Sequence, residues 1–133
     1  MDNIDINRIP SLSLAFLGDA VYAVKVREHL IENEPYSKPD ALHKAANKLV
    51  SARAQATALH YLKNTSVLTE DEWDIARKAR NKSSQTRAKN ATIQEYRNAS
   101  GIEALIGYLT LTGETDRVDE LMKLIITDGS EDI

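Results

Sequence analysis

At 133 residues the chain has the length of one domain with room for a proper core. Apolar content of 42% and charged content of 28% are ordinary for a globular protein, and a net charge of -3 does not by itself call for a nucleic-acid partner. The absence of cysteine excludes a disulfide scaffold, a zinc-thiolate centre and cysteine catalysis. No apolar run approaches the roughly 18 residues of a membrane span. The start, Met1-Asp2-Asn3-Ile4-Asp5, lacks the basic-then-apolar pattern of a leader, so a cytoplasmic location without membrane association is expected.

Residues 1–8 read as a polar lead-in, and a long helix is predicted over about residues 9–31. Pro10 sits near its start, with Ser11 or Asn7 as caps. Its apolar positions, among them Leu12, Leu14, Phe16, Leu17, Val21, Tyr22 and Val24, cover more than one face. Such a helix is central to a fold or forms half of an interface. After a connector over residues 33–39, Ser37 with Asp40 predicts a capping box opening a helix over about residues 40–49. Ser51 is expected to cap a helix over residues 52–63, with Ala54, Ala58, Leu59 and Leu62 at helical spacing. Thr69 with Glu72 and Thr92 with Glu95 make two more capping boxes, predicting helices over about residues 70–81 and 92–112. Residues 81–91 are the one sizeable irregular stretch. Gly113 is a helix stop, and Thr115 begins a last amphipathic helix that ends at Gly129. With no strand-like alternation, internal repeat or dividing linker, the prediction is one all-α domain over residues 1–133, its core over about residues 9–127.

Two apolar runs each carry a lone carboxylate: Asp19 in Leu14–Tyr22 and Glu103 in Gly101–Tyr108. An ionised carboxylate on an apolar surface is costly unless paired, hydrogen-bonded or metal-bound. Gly18 beside Asp19, and Gly107 four residues after Glu103, would allow the two helices to approach closely. If they cross there, two oxygen ligands with open positions for water would suit Mg²⁺, which in turn suits phosphodiester cleavage. The alternative is that each acid is merely exposed, or pairs with Lys25, Arg27 or Arg97.

Between Asp74 and Glu95 there is no acidic residue, while Arg77, Lys78, Arg80, Lys82, Arg87 and Lys89 are interleaved with Asn, Ser, Gln and Thr. Basic and small hydrogen-bonding side chains suit a phosphate backbone. No aromatic is interleaved to stack on unpaired bases, which points to duplex recognition. The plainer reading is a solvated helix end whose cations favour the macrodipole. The three histidines form no His-x-x-x-His pair, and there is no nucleophile elbow or Gly-rich phosphate loop. Trp73 is expected to pack onto a neighbouring helix.

The run Leu14-Ala15-Phe16-Leu17-Gly18-Asp19-Ala20-Val21 resembles the signature helix of the ribonuclease III family, and Ile102-Glu103-Ala104-Leu105-Ile106-Gly107 resembles its second catalytic segment. Leu42-His43-Lys44, Leu49-Val50-Ser51-Ala52-Arg53-Ala54-Gln55-Ala56 and Gly107-Tyr108-Leu109 are similar to the shorter bacterial branch, Mini-ribonuclease III. The resemblance covers about residues 9–127 and implies a dimeric, all-α endonuclease domain that cuts double-stranded RNA with Mg²⁺, leaving 5′-phosphate and 3′-hydroxyl ends. Asp19 and Glu103 would be the catalytic and metal-binding carboxylates. Arg77, Lys78, Arg80, Lys82, Arg87 and Lys89 would grip RNA. The implied substrate is precursor 23S ribosomal RNA, with a ribosomal protein as a candidate accessory. Leu12, Ala15 and Ser100 stand where full-length family members carry acidic residues, so the ligand set is reduced to two. So few residues follow position 127 that no double-stranded-RNA-binding domain is expected. The rival reading is a non-enzymatic dimeric RNA-binding or assembly module on the same fold.

Overall fold

The computed structural model describes residues 4–83 and 91–129. A 3₁₀ turn, Ile6–Arg8, precedes six helices: α1 (Ser11–Asn33), α2 (Pro39–Val50), α3 (Ala52–Asn64), α4 (Glu70–Lys82), α5 (Ile93–Leu111) and α6 (Thr115–Leu124). A π turn, Ile125–Gly129, extends the last. Among the described residues no strand forms, and no helix is long and apolar enough to cross a membrane.

Three of the predicted caps form. Ser51 Oγ accepts from Ala54 N–H at 3.1 Å. Thr69–Glu72 and Thr92–Glu95 close as reciprocal capping boxes. The other two do not. The N-cap of α1 is Pro10, with no side-chain cap, and Ser11 is already helical. The N-cap of α2 is Lys38, also without a side-chain bond, because Pro39 takes the first helical position and leaves Ser37 one residue too early. At the far end of α5, Gly113 adopts φ +78°, with Glu114 N–H on Leu109 O (2.8 Å) and Gly113 N–H on Thr110 O (3.2 Å). This paired closure is why the helix stops there.

α5 is the axis of the core. Ala99, Ile102, Ala104, Leu105, Ile106 and Leu109 are buried on several sides of it, and α1, α3, α4 and α6 pack around it. α1 is divided. Leu14, Gly18, Tyr22 and Val26, four residues apart, form its buried stripe. Its other side exposes Leu12, Phe16, Val24 and Ile31, with Phe16 83% exposed. Trp73 packs against the core as expected, with Lys63 Nζ 4.2 Å and the Arg80 guanidinium 5.2 Å from its ring centre.

The entry of α4 is tied to α6 by a charged clasp. Arg117 donates from Nε to Glu72 Oε2 at 2.9 Å and from Nη2 to Glu72 Oε1 at 2.7 Å. Nη2 also reaches Val67 O at 2.7 Å. Glu72 is buried, and the Arg117 bonds outweigh its desolvation and hold its pKa below the ordinary value. The carboxylate thus serves twice, in the capping box and in the clasp.

The α1–α5 crossing is made by backbone. A Cβ on Gly18 would stand 1.6 Å from Glu103 O, and one on Gly107 would stand 2.0 Å from Leu14 O. Neither obstacle is a side chain that can swing away. Gly18→Ala and Gly107→Ala are each expected to cost about 3 kcal/mol or more, the upper range for overpacking. Gly113→Ala, with open space around it but a left-handed φ, costs only about 1 kcal/mol. Denaturant midpoints of the three variants check this ranking.

Candidate active site

The close crossing decides where the two lone carboxylates go. Asp19 follows Gly18 on α1, and Glu103 is the α5 residue whose carbonyl Gly18 touches. Their side chains meet in an open cleft. α1 contributes Ala15, Phe16 and Asp19 to it, α5 contributes Tyr96, Ser100 and Glu103, and Ser83 closes it from the end of α4. Neither acid takes Lys25, Arg27 or Arg97 as an ion-pair partner among the described residues, and Lys25 is held instead by Asp119 at 2.8 Å.

The two carboxyls differ in environment. Asp19 is exposed at the mouth, whereas Glu103 lies deeper. Burial first, and then the hydrogen bond and charge of Asp19, push Glu103 up to about 9. At neutral pH and without a cation, Glu103 therefore keeps its proton and is hydrogen-bonded to Asp19. This is the expected behaviour of two carboxyls in one partly desolvated place.

Behind Glu103 stand two polar groups that sequence reasoning did not assign to the site. Tyr22, one turn after Asp19, is fully buried, and its hydroxyl has no hydrogen-bond partner. Its pKa is raised by that burial and then by the charge of Glu103. Gln55 of α3 is 3% exposed. Its amide favours the ionised form of Glu103 but stops short of a proper hydrogen bond, and its Nε2 has no other partner. Each orphaned buried group costs on the order of 1–3 kcal/mol. A signal was present: Gln55 lies four residues before Leu59 on the apolar stripe of α3, as the one polar side chain there. Tyr22 reads from sequence as one more apolar position.

Ser100 and Ser83 floor the other side of the cleft. Ser100 Oγ gives its hydrogen to Tyr96 O (3.2 Å), so across the 3.2 Å contact with Ser83 Oγ the donor is Ser83. This bond fixes the end of α4 to the cleft.

Of the six basic residues expected at RNA, four lie on described helix. Arg77 and Lys78 both pair with Asp74, Lys78 at 3.3 Å. Arg80 lies against Trp73. Lys82 is exposed and directly precedes Ser83, so the basic stretch begins at the rim of the cleft. Arg87 and Lys89 fall outside the described residues. No cluster of three or more metal-ligating acids, histidines or cysteines forms among the described residues. The donor set is therefore the Asp19–Glu103 pair. Two oxygen ligands fit a hard divalent cation that keeps waters in its shell. The unpartnered Tyr22 hydroxyl and Gln55 amide suit a carboxylate that is held ionised as a ligand.

The family model for the ribonuclease III domain matches residues 12–114. Among curated proteins, Mini-ribonuclease 3 of Streptococcus pneumoniae is 44% identical over 92% of this chain and 95% of its own length. Mini-ribonuclease 3 of Brevibacillus brevis is 46% identical over 92% of both chains. That of Staphylococcus aureus is 42% identical over 96% of both. A crystal structure of a Fusobacterium nucleatum protein superposes with a TM-score of 0.79 at 27% identity, covering 92% of this chain and 95% of that one. The all-helical fold, the paired carboxylates and these matches agree: the chain belongs to the ribonuclease III family, metal-dependent endoribonucleases that act on double-stranded RNA.

Proposed function

We propose that Asp19 and Glu103 are the catalytic carboxylates and that they hold Mg²⁺. The observation that carries this reading is their convergence, from two helices, in an open cleft floored by hydroxyls. When bound, the cation activates water and neutralises charge on the phosphate. Asp19, exposed at the mouth, offers the outer ligand. Glu103, deeper in the cleft, would hold the cation as the second ligand, in its ionised form. Ser83 and Ser100, held to each other, keep the end of α4 against the cleft. Lys82, Arg80, Arg77 and Lys78, with Arg87 and Lys89, supply cations to the phosphate backbone of a duplex. The strands are cut to 5′-phosphate and 3′-hydroxyl ends. The substrate is precursor 23S ribosomal RNA, in the cytoplasm, with a ribosomal protein as accessory.

The chain acts as a single catalytic domain and pairs as a homodimer through α1. The support is the exposed apolar side of that helix. Leu12 at 40%, Phe16 at 83% and Val24 at 53% exposure leave a helix face that has no use in the monomer. Phe16 also lines the cleft, so pairing there sets two cutting sites beside one interface.

Asp19→Asn and Glu103→Gln are each expected to lower cleavage of a long RNA duplex more than about a hundredfold, beyond the 10–100-fold cost of losing an outer-shell partner. Chelator is expected to abolish wild-type cleavage. Gel assays with and without chelator measure both.

Glu103 also sets a pH dependence without metal. Folded, its carboxyl holds a proton up to about pH 9, whereas its ordinary value is 4.5. Between those values the folded state binds more protons than the unfolded, so stability falls as pH rises. In chelator at pH 8, Glu103→Gln is expected to be more stable than wild type, and at pH 4 the difference vanishes. Urea melts at the two pH values test it.

Lys82→Ala should lower the log–log salt slope of RNA binding by about one, as expected for one lost phosphate contact. Binding titrations across salt concentrations read the slope directly.

A further inference from the structure

Three helices converge on Glu103, and only α1 and α5 bring a carboxyl there. Asp19 stands on the solvent side. Tyr22 and Gln55 stand on the protein side, fully or nearly fully buried, each with a hydrogen-bond donor that has no partner. Two other buried polar atoms are unpartnered, Arg97 Nε and Asn98 Oδ1. They belong to the first turns of α5, where the Asn98 amide reaches His60 Nε2 at 3.4 Å, and not to Glu103. The orphans therefore sort into two places, and each member of the pair behind Glu103 is able to donate. An ionised carboxylate only accepts, so groups able to donate are what it takes from its protein side.

We propose that Tyr22 and Gln55 are positioning residues that clamp the Glu103 carboxylate from behind once a divalent cation occupies the cleft. The Tyr22 hydroxyl and the Gln55 amide each donate to it, leaving its remaining lone pairs for the cation. This arrangement has a physical logic for a site with two carboxylates. A cation held by so few ligands depends on each being fixed in orientation, and a glutamate has three side-chain torsions to fix. Buried donors on two different helices restrict those torsions more than solvent can. The free protein keeps two donors unsatisfied, and cation binding satisfies them.

This rests on the reading of Asp19 and Glu103 as the ligands, and the experiment separates the two. Apparent melting temperatures and Mn²⁺ dissociation constants are measured for the full chain, by thermal melts in chelator and in Mn²⁺ and by calorimetric titration, with Mn²⁺ alone as the probe. The variants are Tyr22→Phe and Gln55→Leu, which remove the donors and keep the shape. In chelator, each is expected to melt at or above the wild-type temperature, because an unpartnered polar group has been removed. In titration, each is expected to bind Mn²⁺ about 10–100-fold more weakly. A structural role would move the first measurement down, whereas a positioning role moves only the second. Wild-type Mn²⁺ affinity in both variants, or a lowered melting temperature in chelator in both, overturns the proposal. An Asp19→Asn variant that keeps wild-type Mn²⁺ affinity overturns the two-carboxylate site itself, and the proposal with it.

Discussion

The α1–α5 contact has backbone on both sides. Gly18 lies against the carbonyl of Glu103 and Gly107 against that of Leu14, each at a distance no Cβ could occupy. Helix packing through side chains tolerates shifts, since a rotamer can change and a neighbour can follow. Packing through backbone does not. The relative height and rotation of the two helices are therefore fixed more tightly here than elsewhere in the molecule. Asp19 is the residue after one glycine, and Glu103 is itself the residue touched by that glycine. The separation of the two carboxyls is thus set by main-chain contacts, and little is left to side-chain packing. Precise placement of that kind is what a pair of metal ligands requires.

Fixing the carboxyls together has an electrostatic cost, and the surroundings show how it is met. Burial, and then the hydrogen bond and charge of Asp19, push the Glu103 carboxyl up to about 9. The basic residues nearby do not relieve it. Arg77 and Lys78 are bound to Asp74, Arg80 lies over Trp73, and Lys25 is bound to Asp119. Three of the cations of α4 are thus engaged elsewhere, and Lys82 stands at the rim of the cleft. An arginine in the cleft would neutralise the pair and remove the use as a cation site that is proposed for it. The Glu72–Arg117 clasp shows the opposite solution: there a buried glutamate is fully paired, its pKa falls, and its role is to join two helices. The two glutamates differ in what the chain supplies to them: Glu72 is held by an arginine, whereas Glu103 faces a second carboxyl.

The fold was legible in the sequence wherever a local hydrogen bond decides it. Ser51, Thr69 and Thr92 cap their helices because each sits at the N-cap position, with the backbone or a glutamate in register. Ser37 and Ser11 have the right chemistry at the wrong position, and prolines displaced both. Asp19 and Glu103 were legible because a charge in an apolar run is anomalous at any resolution. Tyr22 and Gln55 were not. A tyrosine in an apolar helix is no anomaly, and a single glutamine on a buried stripe becomes one only when the third helix is seen to face Glu103. The serine pair was missed for the same reason: Ser83 and Ser100 are seventeen residues apart, and nothing local joins them. What stayed hidden was the set of long-range polar contacts, which depend on which helices become neighbours.

α1 also carries a division of labour along its own circumference. Its inner stripe of Leu14, Gly18, Tyr22 and Val26 is committed to α5 and the core. Its outer side holds Leu12, Phe16 and Val24 in solvent. Asp19 is exposed between these two faces, on the same turn of helix as Phe16 and Gly18. A helix that served the core alone could rotate by a small angle to bury more of its outer apolar surface. This one cannot, because Gly18 is seated against α5 main chain and any rotation brings a Cβ from a neighbouring position into that contact. The exposed apolar face is thus a consequence of the glycine contact: the rotation that places Asp19 over Glu103 is the same rotation that leaves Phe16 outside. Covering Phe16 therefore has to come from outside the helix's own core contacts, and whatever covers it will sit at the edge of the cleft that holds the two carboxyls.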